Sequence, residues 1–440
     1  MSELTVKDTE ARKRLLSLFD EGTFTELDAF AKSADGEIEV VAGYGSVNGV
    51  YAYAFSQDIT VDGGAISTAQ CAKIKKIYEL AKKTGSAVIG IYDSNGMKLK
   101  EGFEALNAYG EILKASTSVS GVVLQISVIV GACLGTSALM ANMADVVIAA
   151  KNADFYVTAP AGVTAEDSFK QGTVDILADD AASAIASAKE LISVLPSNNL
   201  ETAPAFDYEE KLSYGADENA SAKDIILAAA DENSVIEIKA GYAENAVTAF
   251  AQIGGITVGF VAFDGEAVCP SCAYKAEAFI KLCDAFNISI VTLVNAKGLQ
   301  KEKENQMLVA ATKLTSAYAS ATCPKISVIT GKAVGAAYIM LAGRGANADL
   351  VFAWDTAVIS PLETDAAVAF LYNDRLAAGE SRTALETEYE AELASPFTAA
   401  ACGAVDDIFV PAETRTKLIN ALSFLDSKRE TTIPRKHSVK

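Results

Sequence analysis

Residues 325–340 read KISVITGKAVGAAYIM, and residues 125–140, two hundred positions earlier, read QISVIVGACLGTSALM. Seven of the sixteen positions are identical, and most of the others stay small or apolar. Each copy opens on β-branched residues suited to a buried strand, then passes two glycines four residues apart into a run of small residues that starts a helix. A helix start with no bulky side chain over it presents bare backbone N–H groups, which suit an oxygen gaining negative charge. Two such places in one chain predict two reacting carbonyl-like groups.

The likeness widens on both sides of this pair. Lys73–Gly96 aligns without gaps with Lys275–Gly298 as a helix and then a strand, SAVIGIYDSNG against ISIVTLVNAKG. After each organising stretch comes Ala-Asp and an apolar strand, at Ala144-Asp145-Val146-Val147 and Ala348-Asp349-Leu350-Val351. Before each lies a hairpin, VVAGYGSV and VYAYAFSQD turning at Asn48-Gly49, and Ala249–Phe263 turning at Gly254-Gly255. Three aligned blocks in one order are an internal duplication. The class is α/β, with a boundary expected near residue 225, in the polar stretch after a helical crossover at Ala181–Val194. Helices are also expected from Arg12, with Leu15, Leu16, Leu18 and Phe19 as the apolar side, and at 69–83, 102–116 and 414–425, with an acidic pair over 366–393.

At 440 residues, half of them hydrophobic, the chain can fill two substantial cores. A formal net charge of -20 disfavours nucleic acid and anionic lipid as partners, and only Lys428–Lys440 is basic. Seven scattered cysteines and no signal peptide point to a reducing cytoplasm. Val119–Ala144 is uncharged and long enough to span a bilayer, but its polar residues and its echo near Lys325 favour a buried strand followed by a buried helix. The one histidine, His437, lies in the tail, so a Ser-His-Asp or Cys-His mechanism has no base. Cys269-Pro270-Ser271-Cys272 has metal or redox spacing, yet no second CxxC completes a zinc site. Incidental cysteines are the simpler reading, with a weak disulfide left open. No metal site is expected. Lys73, Lys76 and Lys83 form a helix face that is either solvated or offered to phosphates.

The stretches ARKRLLSLFDEGTFTELDAF, AFSQDITVDGGA, IGIYDSNGMKLKEG, SGVVLQISVIVGACLG, FIKLCDAFNISIVTLV and CPKISVITGKAVGAAYIM carry a family resemblance. The resemblance is to the carboxyltransferase subunits of biotin-dependent acyl-CoA carboxylases and decarboxylases, among them propionyl-CoA carboxylase beta and methylmalonyl-CoA decarboxylase alpha subunits. It implies tandem crotonase-like domains, each a ββα superhelix: residues 1–225 on the acyl-CoA side and 226–440 on the biotin side. It implies that Gly135 and Thr136 hold the thioester oxygen of a coenzyme A substrate. Gly335 and Ala336, with Ala337 beside them, would hold the ureido oxygen of carboxybiotin. Asn95, Gly96 and Gly298 would line the substrate pockets. The cofactor itself would supply the base, and biotin would arrive on a carrier protein, since Lys98 in Gly-Met-Lys-Leu lacks the small β-domain that biotinylation needs. Further implied partners are a biotin carboxylase or a membrane decarboxylase subunit, which could bring the chain to a membrane. Other copies of the chain are also implied, as a dimer or trimer of dimers with sites between subunits. The family's DSGGARIQEG reads DSNGMKLKEG at Asp93–Gly102, and its DVPGFLPG reads NAKGLQKE at Asn295–Glu302. Those changed loops motivate an alternative, a non-catalytic or retuned structural subunit of such a complex. Hydratase or isomerase work on coenzyme A esters is weaker, because such enzymes usually add an acidic side chain near the oxyanion site.

Overall fold

The computed structural model describes residues 8–158, 162–210, 216–431 and 433; His437 and most of the basic tail lie outside the described residues. The chain divides into two compact units, Met1–Pro204 and Ala205–Lys440. The division falls earlier than the expected 225/226. Ala205 already bridges Ile256, and Ala216, Ala222 and Ile225 pack into the second unit's core.

The first unit begins with α1 (Glu10–Leu18), β1 (Thr25–Leu27) and the hairpin of β2 (Val40–Val47) and β3 (Val50–Gln57). Then come α2 (Thr68–Thr84), β4 (Ala87–Ser94), α3 (Gly102–Thr117), β5 (Gln125–Leu134) and α4 (Thr136–Ala141). It closes with β6 (Val146–Ala150), β7 (Phe155–Tyr156), α5 (Ala165–Lys170), β8 (Ile176–Ala178) and α6 (Ala181–Val194). Its sheet runs β1-β2-β3-β4-β5-β6-β8, antiparallel through β3 and parallel afterwards, with β7 paired to the end of β5. The hairpin turns with φ of 49° at Asn48 and 83° at Gly49, the left-handed pair that this sequence favours.

The second unit opens with α7 (Ala222–Ala229), β9 (Ile236–Ile238), β10 (Ala246–Ile253) and β11 (Ile256–Phe263). It continues through α8 (Pro270–Ala285), β12 (Ser289–Ala296), α9 (Glu304–Ser320), β13 (Lys325–Val334) and α10 (Ala336–Leu341). After β14 (Leu350–Trp354) and β15 (Val358–Ser360) stand α11 (Thr364–Leu371), α12 (Asn373–Ala377) and α13 (Arg382–Glu392). Then α14 (Pro396–Ala401), β16 (Asp407–Phe409) and α15 (Thr414–Leu425) end it. Its sheet runs β9-β10-β11-β12-β13-β14-β16 with β15 on β13, the same order as in the first unit. The acidic pair is thus three short helices around a small core of Val368, Leu385 and Tyr389.

The repeated words have physical reasons. The Asp of each Ala-Asp step ties two neighbouring strands together. Asp145 N–H donates to Gln125 O at 3.0 Å, and its carboxylate accepts Gln125 N–H at 2.8 Å. Asp349 does the same to Lys325, at 2.9 and 2.7 Å. The first glycine of each pair admits a side chain from the strand beside it. A Cβ on Gly131 would stand 2.3 Å from Asp93 Oδ1, and one on Gly331 would stand 2.4 Å from Asn295 Oδ1. Asp93 accepts Ala132 N–H at 3.2 Å and Asn295 accepts Lys332 N–H at 3.0 Å. The strand register slips at that point in both sheets.

Two expectations about side chains change. Leu16 is 52% exposed and belongs to the open side of α1. Lys73 is buried, its ammonium donating to Val40 O at 2.9 Å, so it is not available to phosphates; Lys76 pairs with Asp28 at 2.9 Å and Lys83 is exposed. Residues 125–141 form β5 and α4, and no helix of the described residues is long and apolar enough to cross a membrane.

Candidate active site

At the end of β5 the chain turns through Gly135, with φ 58° and ψ −124°, a conformation closed to L side chains. A Cβ there would meet nothing within 4 Å, so the turn faces open space. The space is a cavity of about 470 Å³ lined by Asp62, Ala65, Asn95–Lys100, Gly135 and Thr136. Four expected residues, Asn95, Gly96, Gly135 and Thr136, therefore meet in one place. Gly135 N–H is not free for a ligand: β7 takes it, through Tyr156 O at 3.0 Å. The available donor moves one residue on, to Thr136 at the first position of α4, where no intrahelical acceptor exists. Thr136 Oγ1 is buried without a hydrogen-bond partner of regular geometry, although it lies close enough to the Tyr109 hydroxyl to oppose the rise that burial gives that group's pKa. An unpaired hydroxyl beside an open cavity suits a polar ligand atom.

Gly96 is buried with φ 105°, and a Cβ on it would press to 3.2 Å from Leu134 O. Its N–H donates to Ser94 Oγ at 3.0 Å and its carbonyl accepts Ile66 N–H at 3.0 Å, so it shapes the wall. Beneath the wall runs a chain of hydroxyls. Tyr109 and Ser137 share a bond of 3.0 Å, Ser137 donates to Ser94 Oγ at 3.1 Å, and Ser94 donates to Gly64 O at 2.6 Å. This chain pins α3, α4 and the 62–64 turn to one another. Sequence reasoning missed it, because hydroxyls 28 to 43 positions apart carry no local signal.

Lys98 also lines the cavity, yet its ammonium points inward, 2.5 Å from Asp35, 2.9 Å from Glu39 and 3.3 Å from Asp62. Burial pulls this ammonium down, but the three carboxylates outweigh it and hold its pKa above the ordinary lysine range. A lysine so enclosed is in no position to be modified.

In the second unit Gly335 repeats the turn, with φ 56° and ψ −127°, and its N–H is likewise taken, by Ser360 O of β15 at 2.8 Å. Ala336 is exposed at the first position of α10. Ala337 is fully buried and offers no surface to a ligand, because the helix turns it inward. Two cavities of about 410 and 400 Å³ open here and share Lys297 and Glu363. Val334, next to Gly335, lines one; Leu299, next to Gly298, lines the other. Gly298 itself has φ 122° and lines neither.

The family of carboxyl transferase domains matches residues 7–439. The chain is 35% identical to the methylmalonyl-CoA decarboxylase alpha subunit of Veillonella parvula, covering 97% of this chain and 92% of that one. It is 34% identical to the propionyl-CoA carboxylase beta chain of Saccharopolyspora erythraea, covering 97% and 89%. Its fold superposes on transcarboxylase 12S, crystallised as a hexamer with methylmalonyl-coenzyme A and methylmalonic acid bound, with TM-score 0.91 and 33% identity over 98% of this chain and 92% of that one. The tandem crotonase-like architecture that the resemblance implied is therefore the observed one, and the chain belongs to the carboxyl transferase family.

Proposed function

We propose that the chain is the carboxyltransferase component of a biotin-dependent acyl-CoA carboxylase or decarboxylase, with its acyl-CoA thioester seated in the cavity at Gly135 and Thr136. The observation that carries this reading is that cavity, open at a glycine turn and next to an unpaired Thr136 hydroxyl. Thr136 N–H donates to the thioester oxygen as it gains charge, and the missing Cβ of Gly135 lets that oxygen approach. The hydroxyl chain from Tyr109 to Gly64 keeps the donor in place.

The second unit fits biotin at Ala336, an exposed residue at the first position of α10, directly after a glycine with no side chain. Biotin, brought by a carrier protein, supplies the mobile carboxyl group when bound. Ala336 N–H orients its ureido oxygen. The changed loops keep the first cavity open, with Asn95 exposed at its rim, which favours a working enzyme over a purely structural subunit. The further partners are a biotin carboxylase or a membrane decarboxylase subunit, the latter being the route to any membrane association. Exposed Phe103 and Phe370, 83% and 78% accessible, support burial against other copies of the chain as a dimer or trimer of dimers.

The test is exchange of labelled carboxyl between a malonyl-type thioester and biotin on a competent carrier, with the native mass measured on the same sample. Transfer by a species that is a multiple of 46.0 kDa is expected. Absence of transfer with malonyl-, methylmalonyl- and longer thioesters would overturn the reading.

A further inference from the structure

The duplication supplies an internal comparison for a motif that carboxyl transfer does not use. The alignment that sets Gly298 on Gly96 also sets Cys269 on Ser67 and Cys272 on Gln70. Ser67 caps α2, accepting Gln70 N–H at 3.4 Å, and Cys269 caps α8 in the same way, accepting Cys272 N–H at 3.1 Å. Serine is a preferred residue for that task and cysteine is not. Capping alone therefore does not account for the sulfur.

The pair has the form of a reactive dithiol. Cys269 sits at the start of a sixteen-residue helix, whose dipole and free N–H groups favour a thiolate. A hydrogen bond from the Cys272 thiol, helped by backbone N–H groups, outweighs burial and brings the Cys269 pKa down to about 6. Cys269 is half-buried and lines the 400 Å³ cavity with Lys297 and Lys301 and with Glu266, Glu302 and Glu363, while Cys272 lies buried behind it. Cys272 keeps its proton more firmly than a free thiol, held up by its hydrogen bond to Cys269 and by burial, and Cys71, Cys133, Cys283 and Cys323 are pushed up by burial as well.

We propose that Cys269 is a thiol-modification site that takes a low-molecular-weight disulfide in this cavity and is resolved by Cys272. The Cys269 thiolate attacks one sulfur of the small disulfide, whose S–S bond breaks to release one thiolate. Cys272 loses its proton to that thiolate and attacks the Cys269 side of the mixed disulfide, releasing the second thiolate, which takes a proton from water. The protein dithiol is oxidised by two electrons and the small disulfide is reduced to two thiols. Formation of the bond acts on the neighbouring loop, because Val268 N–H donates to Gly298 O at 2.9 Å and Val268 O accepts Gln300 N–H at 3.0 Å.

The test incubates the full-length native protein with oxidised glutathione, blocks remaining thiols with an alkylating agent and maps the peptides by mass spectrometry. The wild type is expected to lose two hydrogens in the peptide holding Cys269 and Cys272, reversibly with dithiothreitol. Cys272→Ser is expected to trap one glutathione on Cys269. Cys269→Ser, which installs the cap already used at Ser67, is expected to fold and to give neither product. Free thiols at both positions after exhaustive treatment, or glutathione confined to exposed Cys402, would overturn the proposal. These readouts do not depend on carboxyl transfer, so they stand or fall apart from it.

Discussion

Thr136 and Lys98 show opposite uses of polarity at one cavity wall. Leaving the Thr136 hydroxyl buried and unpaired costs about 1–3 kcal/mol. Thr136→Val should therefore leave the thermal midpoint unchanged or higher, while kcat/KM for carboxyl transfer falls about tenfold. Unchanged kcat/KM would remove the hydroxyl from the site. Lys98, by contrast, neutralises Glu39, which is fully buried. Lys98→Met strands that carboxylate and should cost about 3–5 kcal/mol. Adding Glu39→Gln should recover most of the loss in a urea unfolding series, and no recovery would contradict the pairing. Gly135 was legible in the sequence because its backbone angles exclude other residues. The surroundings of Lys98 were not, since Glu39 is 59 positions away.

Elements were legible where their chemistry is local. Asn48-Gly49 and Gly254-Gly255 place their turns, and the small-residue runs start α4 and α10 where expected. The short strands β7 and β15 left no such trace, yet they take the glycine N–H groups and shift the donor by one residue. Buried lysines on α2 and α8 were also hidden by a helical pattern that reads as solvated. Lys275, the counterpart of Lys73, donates to Tyr242 O at 2.9 Å and Ala246 O at 2.6 Å, and burial lowers its pKa to about 8. From about pH 8 to 10.5 the unfolded chain keeps a proton that the folded chain has shed, so this group's contribution to stability rises with pH. Against Lys275→Met, the wild type should gain up to about 1.4 kcal/mol per pH unit across that window. A difference that stays flat, followed by chemical unfolding at several pH values, would contradict a depressed ammonium.

At the scale of the whole molecule, the sequence repeat foretold two sheets of one order, and that doubling is the frame of the account. Its two halves have since diverged. Ser94, central to the hydroxyl chain, aligns with Ala296 of the other copy, and Ser67 aligns with Cys269. The boundary expected near residue 225 rested on the polar composition of the linker, whereas packing onto the second core begins at Ala205. The central claim is that the first unit, at its glycine turn, holds the thioester. A crystal structure of the protein with a non-hydrolysable methylmalonyl-coenzyme A analogue tests it most directly. The account predicts the thioester oxygen about 3 Å from the Thr136 amide nitrogen; a thioester bound at Gly335 and Ala336, or away from both glycine turns, would contradict it.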